Sequence, residues 1–130
     1  MRAYLAIKFH EDAKNRALIE RLSKIIENEG LSTTVVIRDY EKYGTVKLPP
    51  QKLMEITFKS LDNSDILIIE LSEKGVGLGI EAGYAYAKGI PIIVIAKTGS
   101  DISNTLKGIA QQVIFYNNPE DLAGKLKKLY

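Results

Sequence analysis

The chain of 130 residues contains no cysteine, no tryptophan and a single histidine, His10. Without cysteine it can form neither a disulfide framework nor a thiolate metal site, and one imidazole is too few for a histidine-based metal site. Catalysis by a Ser–His–Asp or Cys–His arrangement would have to use His10. The sequence therefore predicts carboxylates as the catalytic groups, with no metal and no cofactor.

Long apolar runs and charge of one sign are also missing. The longest clean apolar run, residues 90–96, is far shorter than the roughly 18–20 residues of a membrane span. The first residues lead directly into a strand pattern and lack the regions of a signal peptide. The net charge of +2 is too small for a strongly basic nucleic-acid-binding domain. We expect a cytoplasmic protein with a small-molecule partner, no membrane and no nucleic acid polymer.

What is present is one continuous alternation of strand and helix patterns, consistent with a single domain over residues 1–130. Short apolar or β-branched runs predict strands at residues 3–9, 33–37, 65–70, 91–96 and 112–116. Amphipathic patterns, prolines and glycines predict helices at 11–29, from 49–50 to 61, at 78–88, at 102–110 and from Pro119 through Leu122, Leu126 and Leu129. Such alternation implies an α/β three-layer sandwich of the flavodoxin-like, Rossmann-like kind, with a five-stranded parallel sheet of order 2-1-3-4-5.

In that order the ligand crevice lies at the carboxyl ends of strands one and three. Residues 8–10 would then face the segment 70–81. This segment contains Gly75, Gly77 and Gly79, which would let the backbone turn tightly and offer amide groups to a phosphate. The glycine spacing matches neither the P-loop nor the dinucleotide fingerprint.

Glu81 is the distinctive residue of this segment, because its neighbours are small or apolar. One interpretation is that it complements the helix dipole in the first turn of its helix. The other is an ionised nucleophile whose pKa is held down by nearby amides, beside a glycine loop that binds phosphate.

Residues 65–87, with the pattern Gly-Val-Gly-x-Gly-x-Glu-x-Gly-x-Ala, resemble the nucleoside 2-deoxyribosyltransferase superfamily, and most closely its 2′-deoxynucleoside 5′-phosphate N-hydrolase branch. Tyr4 in the first strand and residues 89–93 extend the similarity. The resemblance implies that Glu81 attacks C1′ of the sugar and expels the nucleobase, that Tyr4 orients Glu81, and that the protein is a homodimer with a shared active site. Water, or less favourably another base, would resolve the glycosyl ester.

The family commonly has an aspartate eight positions before the one that opens strand three, and this chain has Thr57 there. Glu55 lies on another side of the helix and cannot simply replace it. Glu70 and Glu73 are candidate replacements, although solvated loop charges are the more common role for such residues. Loss of the aspartate leaves open a nucleotide-binding or sensing module of the same fold without turnover.

Candidate phosphate or substrate ligands lie in three segments. Lys8 and His10 follow strand one, Gly75, Gly77 and Gly79 follow strand three, and Ser103 and Asn104 follow strand four. The family resemblance implies a phosphate-contacting serine in the last segment, often donated by a neighbouring subunit, but Ser103 could equally cap a helix. An NAD-related nucleotide is a further candidate ligand.

Overall fold

The computed structural model describes residues 1–10, 12 and 14–126. Five strands alternate with helices along this chain. The elements are β1 (Arg2–Ile7), α1 (Arg16–Asn28), β2 (Ser32–Thr34), α2 (Val36–Asp39), α3 (Pro50–Asp62), β3 (Ile66–Glu70), α4 (Val76–Ala87), β4 (Ile92–Lys97), α5 (Asn104–Ile109) and β5 (Gln112–Tyr116). Within the described part of the chain, no helix combines the length and apolar character needed to cross a bilayer.

All neighbouring strands are parallel, and their order is β2-β1-β3-β4-β5. This confirms the predicted flavodoxin-like order. Side chains of successive strand residues point to opposite faces, so Leu5 packs in the core beneath α1, whereas Tyr4 and Ala6 pack on the face covered by α3 and α4. The two faces thus have separate apolar cores, and the order of the strands places β1 and β3 side by side.

The second strand is shorter than its β-branched sequence predicts. The prediction extended it to residue 37, but β2 ends at Thr34 and Val36–Asp39 forms one helical turn. The Asp39 carboxylate accepts a hydrogen bond from the Val35 amide at 2.9 Å, which stabilises the turn. Val35, Val36 and Ile37 remain buried, so packing between layers satisfies their hydrophobicity without a strand.

Three helix boundaries also differ from the prediction. Helix α1 begins at Arg16 rather than at residue 11, and residues 11 and 13 lie outside the described residues. Helix α4 begins at Val76, two residues earlier than expected. The predicted last helix is a 3-10 turn over Pro119–Leu122; Leu122 and Leu126 are buried as expected, and Leu129 lies outside the described residues.

Candidate active site

A cavity of about 260 Å³ opens at the carboxyl ends of β1 and β2 and extends to the start of α4. Its lining comes from residues 4–9, residues 35–37 with Glu41, the α3 residues Leu53, Met54 and Thr57, and the α4 segment with Gly75, Gly77, Leu78 and Glu81. Most of these side chains are apolar. A cavity in this position is typical of open parallel sheets, in which the crevice next to the reversal of strand order binds ligands.

Glu81 lies in this cavity, half-buried, in the second turn of α4. Burial raises the pKa of its carboxyl group to about 7, and a hydrogen bond from the Tyr4 hydroxyl opposes this rise. The expected low pKa is therefore wrong. Because α4 begins two residues earlier than predicted, Glu81 lies beyond the first turn, where the helix dipole acts most strongly, and desolvation has the larger effect.

The three glycines of this segment have different positions relative to the cavity. Gly75 precedes α4 in an extended conformation, and Gly77 and Gly79 lie within the first helical turn. None of the three has a positive φ, so the backbone at these positions does not need the left-handed conformation that favours glycine. Gly75 and Gly77 line the cavity and Gly79 does not. A Cβ atom at Gly77 would lie 3.9 Å from Oε1 of Glu81, so this glycine leaves open space beside the carboxylate.

Tyr4 and Thr57 form the buried floor of the cavity, with 2% and 4% of their surfaces exposed. Burial and the nearby Glu81 carboxylate raise the pKa of Tyr4 far above its ordinary value, so its hydroxyl remains a hydrogen-bond donor. The Thr57 hydroxyl donates to the Leu53 carbonyl at 2.8 Å. Thr57 occupies the position at which the family commonly has an aspartate, and it faces Tyr4. Its hydroxyl proton is already used in the hydrogen bond within α3.

Lys8 and His10 lie at the end of β1, but only Lys8 lines the cavity that contains Glu81. Nε2 of His10 is 3.0 Å from the Glu73 carboxylate, and Nζ of Lys8 is 3.9 Å from it. His10 and Glu73 line a second cavity of about 310 Å³, on the α1 side of the sheet, which Lys8 also borders. The structure thus places Lys8 in the cavity that contains Glu81 and leaves His10 outside it.

Ser103 and Asn104 do not line the Glu81 cavity of their own chain. The Ser103 hydroxyl accepts a hydrogen bond from the Leu106 amide and caps α5, as the alternative interpretation predicted. Asn104 is exposed in the first turn of α5. A phosphate contact by either residue remains a prediction that requires a second copy of the chain.

Glu70 and Glu73, the candidate replacements for the missing aspartate, are both outside the Glu81 cavity. Glu70 is buried on the opposite face of the sheet, where it accepts hydrogen bonds from the Ser72 amide, the Ser72 hydroxyl and the Tyr116 hydroxyl.

Among the described residues no cluster of histidine, aspartate and glutamate has the arrangement of a metal site.

A second carboxyl group lines the cavity beside Glu81, and it belongs to Glu41, which sequence reasoning missed. Burial raises its pKa above the ordinary value, and its charge acts on Tyr4. Glu41 belongs to an irregular polar loop with no periodic pattern. The one available signal was its position after strand two, at the same edge of the sheet as the crevice.

The chain is similar to known proteins in sequence and in fold. A protein of Thermofilum pendens, provisionally named 2′-deoxynucleoside 5′-phosphate N-hydrolase 1, is 26% identical over 99% of this chain and 94% of its own length. Two solved structures show the same fold. A CMP N-glycosidase from Clostridium botulinum has a TM-score of 0.72 at 20% identity and full coverage of both chains. A 2-deoxyribosyltransferase from Bacillus psychrosaccharolyticus has a TM-score of 0.72 at 14% identity, over 95% of this chain and 91% of its own.

The family model described as nucleoside 2-deoxyribosyltransferase matches residues 3–120. This span includes Tyr4, Glu41, Thr57 and Glu81, and every other residue that lines the cavity. The chain belongs to the nucleoside 2-deoxyribosyltransferase family.

Proposed function

We propose that this protein cleaves the N-glycosidic bond of a (2′-deoxy)nucleoside 5′-monophosphate, with Glu81 as the nucleophile and water as the final acceptor. The observation that carries the proposal is the placement of Glu81 with Tyr4 in a cavity next to the start of α4. The names of the relatives above support the nucleotide as substrate class. Lys8 and the free amides of the first turn of α4 offer a place for the 5′-phosphate.

In the first step a carboxylate oxygen of Glu81 forms a bond to C1′. The C1′–N bond breaks, and its electron pair leaves with the nucleobase, which takes a proton. Water then attacks C1′ of the glycosyl ester, releases the Glu81 carboxylate and leaves a proton for the solvent. The Tyr4 hydroxyl, which donates to Glu81, orients the attacking carboxylate.

The test is incubation of the purified protein with deoxynucleoside and ribonucleoside monophosphates, free deoxynucleosides and NAD, with released base measured by chromatography. We expect release from monophosphates that is abolished by Glu81→Gln and kept by Glu55→Gln, a matched change at an exposed carboxyl group of α3. Because ionised Glu81 is required, kcat/KM should rise about tenfold between pH 6 and pH 8.

A second free base in the reaction distinguishes hydrolysis from transfer, since a transferase would form the exchanged nucleotide.

The Thr57 hydroxyl, which already donates to the Leu53 carbonyl, favours one further candidate, a nucleotide-binding or sensing module without turnover. In that case nucleotides would raise the melting temperature and no base would be released.

We propose further that the protein is a homodimer. The exposed side of α4 carries Val76, Gly79, Ile80, Gly83, Tyr86 and Ala87, and none of these residues is charged. Val76 is 83% exposed, Tyr86 61% and Ile80 46%. A second copy packed on this surface would bury apolar side chains at the helix that carries Glu81.

A further inference from the structure

Glu41 is the one charged side chain contributed to the cavity by the segment that follows β2. Its main chain is held by three hydrogen bonds. The Glu41 amide donates to the Val36 carbonyl at 3.1 Å, and the Glu41 carbonyl accepts from the Gly44 amide at 2.9 Å and from the Val46 amide at 3.0 Å. The carboxyl group is therefore presented to the cavity by a fixed backbone.

The turn after Glu41 is strained and is anchored from outside the cavity. Lys42 and Tyr43 have φ values of 49° and 57°, a conformation that costs non-glycine residues of order 1–3 kcal/mol each. The Tyr43 hydroxyl donates to Glu20, and the Arg16 guanidinium lies 4.4 Å from the centroid of its ring. These contacts with α1 hold the turn in a conformation that its own residues disfavour.

The cavity that Glu41 lines is mainly apolar, and its other lining residues include Val36, Leu53 and Met54. Among the described residues no cation forms a salt bridge with it. Burial raises the pKa of this carboxyl group. A half-buried acceptor for which the described residues supply no side-chain hydrogen bond is stabilised when a ligand supplies an N–H donor.

The charges along the cavity indicate how a bound nucleotide is oriented in it. This step rests on the proposed function. The Lys8 side chain lies beside Glu73 and Gly75, which follow β3 and precede α4. Glu41 follows β2, on the other side of β1. A 5′-phosphate is attracted to the first end and repelled from the second. With the sugar at Glu81 between them, the nucleobase extends toward Glu41.

We infer that Glu41 selects the nucleobase, by accepting a hydrogen bond from an exocyclic amino group. Cytosine and adenine present such a donor, whereas uracil and hypoxanthine have a carbonyl oxygen at the same ring position. A carboxylate accepts from the amino group and repels the carbonyl. The substrates are thus amino-bearing nucleoside monophosphates, in preference to their keto counterparts of equal ring size.

The test compares dCMP with dUMP and dAMP with dIMP. In the parent protein we expect kcat/KM to favour each amino substrate at least tenfold. In Glu41→Gln the side-chain amide can donate to a carbonyl as well as accept from an amino group, so the preference should fall to about threefold or less. Glu55→Gln is the matched control and should keep the parent preference, and thermal melting checks that each variant is folded.

A second experiment measures nucleotide binding in a variant that cannot cleave the glycosidic bond. In Glu81→Gln, titration calorimetry should show tighter binding of dCMP than of dUMP, and Glu41→Gln added to it should remove the difference. This difference would support the inference even if the parent protein released no base, an outcome that would refute only the proposed reaction. If Glu41→Gln keeps the parent preference for amino over keto substrates, the inference is overturned. It is also overturned if Glu41→Gln loses the same fraction of its rate on all four substrates, because Glu41 would then act as a proton donor. Absence of nucleotide binding overturns both proposals.

Discussion

At the scale of the residue, Glu81 combines two opposing demands. A nucleophile has to be ionised, but burial stabilises the neutral carboxyl group and brings its pKa to about 7. The hydrogen bond from Tyr4 favours the ionised form and limits this rise. The side chain can therefore lose its proton near neutral pH and still react as a desolvated, poorly shielded carboxylate.

This conflict predicts that Glu81 destabilises the folded protein at high pH. Its folded pKa lies above the ordinary 4.5, so its contribution to stability is present below pH 4.5 and is lost as the pH rises through about 7. The full change corresponds to at most about 3 kcal/mol. We expect Glu81→Gln to have a free energy of unfolding about 1–3 kcal/mol above that of the parent at pH 8 and about equal at pH 4.5.

Urea unfolding at these two pH values measures the effect, with Glu55→Gln as the control for loss of a carboxylate. An equal difference between Glu81→Gln and the parent at both pH values would show that Glu81 is not desolvated in the folded protein.

At the scale of the element, the segment from α2 to Gly44 determines where Glu41 lies. Sequence patterns predicted a strand through Ile37, because β-branched residues favour strands, and no helix or strand between it and the helix that begins at 49–50. The helical turn depends on a tertiary environment that buries Val36 and Ile37, and the following turn depends on contacts of Tyr43 with α1. The local hydrogen bond from Val35 to Asp39 supports the turn, but the burial and the contacts with α1 involve residues distant in sequence, so neither element nor the position of Glu41 was predicted.

Tyr43→Ala should therefore affect both stability and substrate choice. It removes the hydrogen bond to Glu20 and the contact with Arg16, at a cost of roughly 2 kcal/mol, and frees the turn that positions Glu41. We expect a lower melting temperature and a weaker preference for dCMP over dUMP. Tyr40→Ala removes a neighbouring exposed tyrosine and should change both quantities little. A preference that is unchanged in Tyr43→Ala would contradict the anchoring role.

At the scale of the whole molecule, the strand order and the position of the main cavity were predictable for physical reasons. Apolar runs such as residues 66–69 have no helical period and are buried on both faces. A parallel sheet with two covered faces allows few strand orders and connections. The observed strand order places Tyr4 near Glu81. The pKa of Glu81 was not predictable, because desolvation depends on packing between α3, α4 and β1.

The proposed dimer predicts a specific effect of charge on α4. Ile80→Glu places a carboxylate on the exposed apolar side of this helix and should shift the protein from dimer to monomer in light scattering after size-exclusion chromatography. Gln51→Glu adds the same group at an exposed position of α3 and should leave the mass unchanged. A monomeric parent protein would contradict the proposal directly.

The contact between α3 and α4 has a mechanical consequence for the cavity. Phe58 and Tyr84 stack with ring centroids 4.3 Å apart, and Tyr84 also bonds to Asp62 near the surface. These helices carry Thr57 and Glu81, so the contact sets the spacing of two cavity walls. Separating the stacked rings would cost about 0.5–1.5 kcal/mol beyond the apolar surface that they bury. A ligand wide enough to force α3 and α4 apart would lose this contact, so the contact between these two rings limits the width of the ring that the cleft accepts.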